Sequence, residues 1–461
     1  MDDWWSTALR DTFGGRRVII AGAVPAAWNE HVVHLRAAGA ADIMILATGG
    51  AGVGAGPDVA TLVIEPSPGA STMERIRFEQ AVLHSPPDEI VRVLDEFDPD
   101  GDALVCGGFL NESPTLAGRP VLAPRRPGWV RLEDKTVIDE FWDRAGIGRR
   151  RSVVVPLADA RHVAPDIDEG HGTVWAADAR DGFHGGAEAT RWVVDESETD
   201  RVEADLRARC DRVRVMPFIE GIACSIHGLV DDRDVAVLRP VEMVTLRRGR
   251  QLVYTGCATF WDPPDEIRSE MRSIARRAGE QLRDDINFRG TFTIDGVARR
   301  DGFWPTELNP RFGAGLNTIA RATGDIPILL IHDLIVAGHS PGLSMSELEA
   351  QLVEHADTHR AGGTWQLLTT STDRIDKRSV TAGRASWHWS NDGRTPNDED
   401  PSDGVVSAGP GFARCWFEPS RTPVGPSVAE RAAAFWRFAE PELGIGDGDL
   451  VAPSDPFTSS H

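Results

Sequence analysis

Residues 306–315 read TELNPRFGAG. Glu307 and Asn309 stand two apart, Arg311 follows two further on, and Phe312-Gly313-Ala314-Gly315 closes the stretch with small residues. Upstream, RGTFTIDGVARRDGFWP (289–305) holds two runs of alternating apolar residues separated at Asp301-Gly302, a dipeptide that favours tight turns. The pattern predicts a β-hairpin with Asp295 on the outgoing strand and Glu307 and Asn309 on the returning one. Residues two apart on a strand share a face, and the turn folds Asp295 back toward them. The expected face carries two carboxylates and one amide oxygen. Hard oxygen donors with open positions suit Mg²⁺, which keeps waters and also accepts phosphate oxygens. Arg311 lies on the same face as long as the strand continues, where it can offset charge on a phosphoryl or carbonyl oxygen.

The rest of the chain sets the frame for this hairpin. A length of 461 residues exceeds one ordinary core and implies two to four domains. A net charge of −22 argues against nucleic acid or an anionic membrane as the main partner, since either calls for clustered positive charge. The five cysteines are scattered and never in CxxC spacing, so neither a disulfide framework nor a zinc knuckle is expected. MDDWWSTALRD begins acidic without a basic, then apolar, leader, and no apolar run reaches membrane-spanning length. A cytoplasmic location is the expectation. Of 49 basic residues only Lys135 and Lys377 are lysine.

RRVIIAGAV, EHVVHLRAAG, ADIMILATGG, TLVIEP and DALVCGGF alternate strand-like and helix-like patterns, which predicts a parallel α/β domain over residues 1–125. The loop ATGGAGVGAGP (47–57) never satisfies G-x-G-x-x-G and runs into a strand-like segment, so a dinucleotide fingerprint is not supported. Residues 113–130, rich in Pro, Gly and Arg, read as a linker. A second region over 126–340 holds the helix DKTVIDEFWDRAG, the strands GTVWAAD, RVRVMPFIE and SIHGLV, the charged helix DEIRSEMRSIARRAGEQLRDD, and the hairpin. The last region, 341–461, reads as a small α+β domain with helices at SMSELEAQLVEHA and near 427–440, and strands at GGTWQLLTTST, ASWHWSN and ARCWFEP. Residues 390–404, polar and acidic, read as a mobile loop.

RGTFTIDGV…TELNPRFGAG resembles the terminal metal-binding hairpin of the ATP-grasp superfamily. The resemblance implies that Asp295, Glu307 and Asn309 hold Mg²⁺, two ions in those families, against ATP, and that Arg311 assists the acyl chemistry. Other blocks follow in the family's order. EDKTVIDEFWDRAGI resembles the segment whose lysine, here Lys135, contacts the nucleotide phosphates. GTVWAADARDGFHGGAE (172–188) sits where a glycine-rich loop covers the phosphates, through Gly185 and Gly186. VMPFIEGIACSIHG (215–228) resembles the segment that clamps adenine, which carries over Pro217, Phe218, Ile219 and Glu220. His184 and His227 fall within these blocks, where hydrogen bonding to phosphate or ribose and a structural role both stay open. The strand before the glycine-rich loop lacks the second lysine of many relatives, and Arg180 is the nearest cation.

The implied fold is α/β throughout: an N-terminal α/β pre-ATP-grasp domain, a central ATP-grasp fold of two α+β subdomains clasping ATP, and a small α+β C-terminal domain. The whole arrangement most resembles the pheganomycin-type peptide ligases. That resemblance implies an ATP-dependent ligase that joins a carboxylate donor, an unusual amino acid, to the amine of an amino acid or peptide through an acyl phosphate. A homodimer is compatible with it, and no nucleic-acid or membrane partner is implied. A phosphotransferase of the same fold and a non-catalytic nucleotide-binding protein are the alternatives. Cys224 has no evident paired base and reads as a small buried hydrophobe. His31 and His34 lack a third ligand and do not read as a metal site. Trp365, Trp387 and Trp389 could line a peptide groove.

Overall fold

The computed structural model describes residues 4–49, 56, 58–67, 70, 72–107, 112–180, 185, 187–339, 344–367, 375–382, 387–390, 402–409, 412–444 and 449–457. The loop 47–57 and the segment 390–404 therefore lie largely outside the described residues. Helix α1 (Trp4–Phe13) leads into β1 (Arg17–Ala21), α2 (Asn29–Ala37), β2 (Asp42–Ala47), β3 (Ala60–Val63), α3 (Thr72–His84), α4 (Asp88–Phe97) and β4 (Leu104–Gly107). The four strands form one parallel sheet in the order β3-β2-β1-β4. Val18, Ile20, Ile43 and Ile45 pack on one side with Leu9, Phe13 and Val32, while Ile19, Met44 and Leu46 pack on the other with Leu83, Ile90 and Leu94. Burial on both faces is why these strands read as unbroken apolar runs.

The segment expected to be a linker is folded in. β5 (Thr115–Leu116) pairs with β6 (Arg119–Pro120), and α5 (Pro127–Val130) follows. Arg119 is buried, with Nε 2.7 Å from Asp98 Oδ2 and Nη2 donating to the carbonyls of Leu94 and Asp98. Composition suggested solvated arginine, but pairing with a buried acid made burial tolerable.

Two antiparallel sheets come next. After α6 (Ile138–Arg144), which packs into the core of the second, β7 (Val153–Pro156), α7 (Ala160–Ile167), β8 (Thr173–Ala177), β9 (Thr190–Val193), α8 (Glu196–Arg207) and β10 (Arg212–Pro217) build the first, in the order β7-β10-β8-β9. β11 (Ile222–Val230), β12 (Val235–Val237), β13 (Val241–Arg248), β14 (Gln251–Ala258), α9 (Asp265–Ile286), β15 (Gly290–Arg299) and β16 (Gly302–Asn309) build the second, in the order β14-β13-β11-β15-β16 with β12 on β11. Helix α9 buries Ile267, Met271, Ile274, Ala278 and Leu282, a helical stripe that covers β11 and β15. α10 (Ala314–Thr323), α11 (Ile328–Val336) and α12 (Met345–Thr358) lead to β17 (Gly363–Leu367), β18 (Ile375–Ala382), β19 (Trp387–Trp389), β20 (Gly404–Gly409), β21 (Phe412–Phe417) and α13 (Ala429–Leu443). This last sheet has the order β17-β21-β20-β18-β19. No helix among the described residues is long and apolar enough to cross a membrane.

The C-terminal sheet shares a core with the second antiparallel sheet, since Val244, Leu246 and Phe260 cluster with Val406, Cys415, Phe435 and Trp436. Glu242 of β13 ties the same pair together. It is 1% exposed and accepts from Ser427 Oγ (2.5 Å) and Val428 N (2.9 Å) at the start of α13. Burial pushes its carboxyl up to about 7, against the pull of these hydrogen bonds. The folded state thus binds this proton more tightly than the unfolded chain, and native stability falls as pH rises from the ordinary glutamate range to about 7. Glu242→Gln should flatten that decline by up to about 3 kcal/mol in urea unfolding between about pH 5 and pH 8. Identical pH dependence in the two proteins would show that the carboxyl does not titrate this way.

Candidate functional site

The hairpin forms as expected, with its turn one residue earlier than the sequence implied. Arg299 lies opposite Gly302, so the loop residues are Arg300 and Asp301, and Gly302 opens the returning strand. Asp295 stands directly opposite Glu307, and Thr293 opposite Asn309. The register slips between Asp295 and Gly296, which faces Pro305. Pro305 has no N–H to give to the ladder, and Thr306 is left as the extra residue of a bulge beside the site. The Thr306 carbonyl accepts from Arg214 Nη1 (2.9 Å), a buried β10 residue whose Nη2 lies 2.7 Å from Asp139 Oδ1 on α6. A hydrogen bond from an arginine of the first sheet therefore holds the bulge, and an acid on α6 holds the arginine.

One polar network links the hairpin residues. Asp295 Oδ1 accepts from Ser225 Oγ (2.6 Å) and Oδ2 from Asn309 Nδ2 (2.9 Å). Asn309 Oδ1 accepts from Arg311 Nη2 (3.0 Å), and Arg311 Nε lies 3.0 Å from Glu133 Oε1. Lys135 Nζ lies 3.3 Å from Glu307 Oε1. Burial, and then the charge of Glu307, push the Asp295 carboxyl above the usual carboxylate range. Lys135 and Arg311 offset part of the charge of these two facing carboxylates. Two carboxylates and an amide oxygen are hard donors and fit Mg²⁺. Among the described residues no three of His, Cys, Asp and Glu cluster as metal ligands, so water or substrate oxygens would have to complete the shell.

These residues line one end of a cleft between the two antiparallel sheets, enclosing about 1630 Å³ with open solvent included. Asp295, Glu307, Asn309, Arg311, Lys135, Gly185, Pro217, Phe218 and Ile219, all expected from sequence, line it. Gly185 N also donates to Met73 Sδ of α3 (3.2 Å). Three expected residues do not reach the cleft wall. Arg180 turns to Asp211 (2.9 Å) and the Ala208 carbonyl, and Glu220 pairs with Arg247 (2.8 Å). His227 is fully buried, with Nδ1 2.8 Å from Thr293 Oγ1 and burial holding its ring down to about 3, which favours the structural reading. His184 and Gly186 lie outside the described residues.

Arg214, Arg247 and Tyr254 also line the cleft, and sequence reasoning passed over all three. Arg214 sits opposite Ala176 of β8, so a cation reaches the region of the absent second lysine from the neighbouring strand. Arg247 lies 5.2 Å from the ring of Phe218, which stacks on Trp192 at 3.9 Å and 13°. Tyr254 is the chain's only tyrosine, a signal that was available but carried no chemistry until β14 placed it. The glycines after Arg311 gain a definite reason. A Cβ on Gly315 would lie 2.5 Å from His227 Nε2, and one on Gly313 2.7 Å from Thr293 Oγ1. Only glycine lets the first turn of α10 seat on β11 and β15, where its start opens to the cleft without a side-chain cap.

Residues 182–315 match the family model described as an ATP-grasp domain. The chain has a multi-domain α/β fold that contains this domain. Solved structures resemble it along most of its length. One is the biotin carboxylase domain of the Hydrogenobacter thermophilus 2-oxoglutarate carboxylase, in complex with MgADP, ADP and bicarbonate. It is 16% identical, with 88% of this chain and 86% of that chain covered and a TM-score of 0.56. A Campylobacter jejuni biotin carboxylase is 14% identical, with 95% and 94% covered and a TM-score of 0.56. The Thermotoga maritima phosphoribosylamine–glycine ligase is 14% identical, with 95% and 98% covered and a TM-score of 0.51. At these identities the likeness is one of fold.

The role given to Arg214 can be checked through its acid. Arg214→Met should destabilise the fold by about 1–3 kcal/mol in thermal or urea unfolding, because the half-buried Asp139 would lose its main cation and the Thr306 carbonyl its donor. Adding Asp139→Asn should recover about 1 kcal/mol or more. Simple additivity of the two losses would refute the pairing.

Proposed function

We propose that the chain is an ATP-dependent carboxylate–amine ligase. The observation that carries this is the set Asp295, Glu307 and Asn309 on one hairpin, with Arg311 two residues beyond its end, in the wall of a cleft within an ATP-grasp fold. The ADP-bound carboxylase of the same fold supports the choice of nucleotide. Pro217, Phe218 and Ile219 at the apolar end receive the adenine, and Gly185 with Lys135 receives the phosphates. Asp295, Glu307 and Asn309 would hold Mg²⁺, one ion or two, which when bound supplies charge neutralisation to the phosphates.

The donor's carboxylate oxygen attacks the γ-phosphorus, and ADP leaves. The nitrogen of an amine then attacks the acyl carbon, phosphate leaves and the amine gives up a proton. Arg311 stands beside the acid cluster with its guanidinium held by Glu133 and Asn309, oriented to balance the oxyanion that forms. Lys135, paired with Glu307 in this structure, would be free to reach phosphate with another cation on that acid. The walls of the cleft keep water from the acyl phosphate. On the other side of Arg311 lies a recess lined by Arg125, Trp129, Phe312 and Asp333, with Arg125 Nε and Nη1 and Asp333 Oδ2 lacking hydrogen-bond partners.

The finer reading is a peptide ligase of the pheganomycin type, acting in peptide natural-product biosynthesis on an unusual amino-acid donor. It rests on the resemblance of the motif blocks. Its units would be residues 1–125, 126–340 and 341–461, and the enzyme a cytoplasmic homodimer. ADP and phosphate release should be measured with carboxylic acids alone and then with added amine, and the product followed by mass spectrometry. Amide that appears only with amine supports the ligase; a phosphorylated product that persists with amine present supports a phosphotransferase; ATP binding without ADP release supports a non-catalytic role. Glu307→Gln should lower turnover by at least about a thousandfold, while an undiminished rate would remove the metal hairpin from the chemistry.

A further inference from the structure

One face of the C-terminal sheet is unlike the rest of the surface. Phe412, Arg414 and Trp416 alternate along β21 on its half-exposed side, while Ala413, Cys415 and Phe417 point into the core. Trp365 of β17 lies opposite Arg414 in the ladder and stacks on Phe412 at 6.0 Å. The Arg414 guanidinium lies 4.8 Å from the Trp416 ring, and Arg321 of α10 lies 4.6 Å from the same ring. Arg321 has an exposed acid, Glu30, at 3.6 Å. Arg414 has none: among the described residues no carboxylate pairs with it, its Nε is buried without a hydrogen-bond partner, and the nearest charge acting on it is Arg321. Burial and that second cation hold it down to about 10. A largely desolvated guanidinium beside another cation is costly unless something anionic arrives.

The face connects to the cleft. Trp365 meets the ring of Tyr254 edge-on at 5.6 Å, and Tyr254 lines the cleft. Helix α10 runs from the same cleft, which Ala314 lines, to Arg321, which contacts Trp416. Seven residues of helix advance about 10 Å, the reach of about three residues of extended peptide.

We propose that this aromatic strip seats the amine substrate and that Arg414 with Arg321 binds a carboxylate at its far end, so that the acceptor is a short peptide with a free C-terminus. The proposal rests on the ligase reading and adds the acceptor's chemistry to it. Trp365, Phe412 and Trp416 supply stacking surface along the peptide, and the guanidiniums set its direction, amine toward Arg311 and carboxylate away from it.

Isothermal titration of the full chain, with a non-hydrolysable ATP analogue present, tests this directly. The probes are Ala-Phe-Ala as free acid, the same peptide as its C-terminal amide, and the dipeptide Phe-Ala. The free tripeptide should bind at least about tenfold more tightly than its amide and than the dipeptide. Arg414→Gln should reduce its affinity to that of the amide without changing affinity for the analogue, and Arg414→Lys should retain part of the preference. Unchanged analogue binding shows that the variants are folded. Equal affinity for acid and amide, no effect of Arg414→Gln, or no peptide binding at all overturns the subsite. Binding is read without turnover, so failure to form amide would count against the ligase reading and leave this result standing.

Discussion

Asp295 and Glu307 face each other across a two-stranded ladder, and much of the surrounding structure answers that juxtaposition. Like charges directly opposed on a sheet repel, and partial burial strengthens the repulsion by removing water. The site meets it with a hydroxyl from β11, an amide two residues along β16, a lysine from the segment before α6 and an arginine held by Glu133. The hydroxyl and the lysine come from distant parts of the chain, whereas the amide and the arginine follow Glu307 within four residues. The hairpin alone would be an unstable arrangement of acids; at the edge of its sheet it is steadied by these hydroxyl, amide and cationic partners. The bulge at Thr306 belongs to the same solution, because it shifts the ladder's register beside the acids and presents a carbonyl to Arg214.

Buried arginine is the means by which this acidic chain holds its parts together. Arg119 anchors the segment after the parallel sheet to Asp98. Arg214 joins α6 to the hairpin, through Asp139 and the Thr306 carbonyl. Arg239, fully buried, lies 2.7 Å from both Asp262 and Asp357 and so ties α12 to the central sheet. The planar fork of arginine can satisfy two acceptors in different directions, which a lysine ammonium does less well. A composition of 47 arginines beside two lysines is thus also a structural resource, whatever its origin. Against this pattern Arg414 stands apart, because its surroundings are aromatic and cationic.

Much of the fold was legible in local pattern. The parallel strands announced themselves as apolar runs because both faces are covered. α9 showed its stripe, and the hairpin showed its alternation and its turn. β13 and β14 were not legible: VEMVTLRRGRQLVYTGCA places arginines and a glycine where alternation would otherwise be plain, and half of β14 faces a cleft rather than a core. The linker reading of 113–130 failed for a related reason. Composition cannot distinguish a solvated arginine from one buried against an acid tens of residues away.

By itself, then, the sequence determined the acids, amide and cation of the hairpin, their spacing and their shared face, because strand periodicity and turn chemistry are local. It also placed Lys135, Gly185 and Pro217–Ile219, through motif order alone. Tertiary structure decided which cations meet those acids. It brought Arg214 and Tyr254 to the cleft, turned Arg180 and Glu220 away from its wall and sealed His227 beneath α10. Those outcomes depend on strand pairing between sheets and on the balance of desolvation against ion pairing, and neither is written in any short stretch of chain.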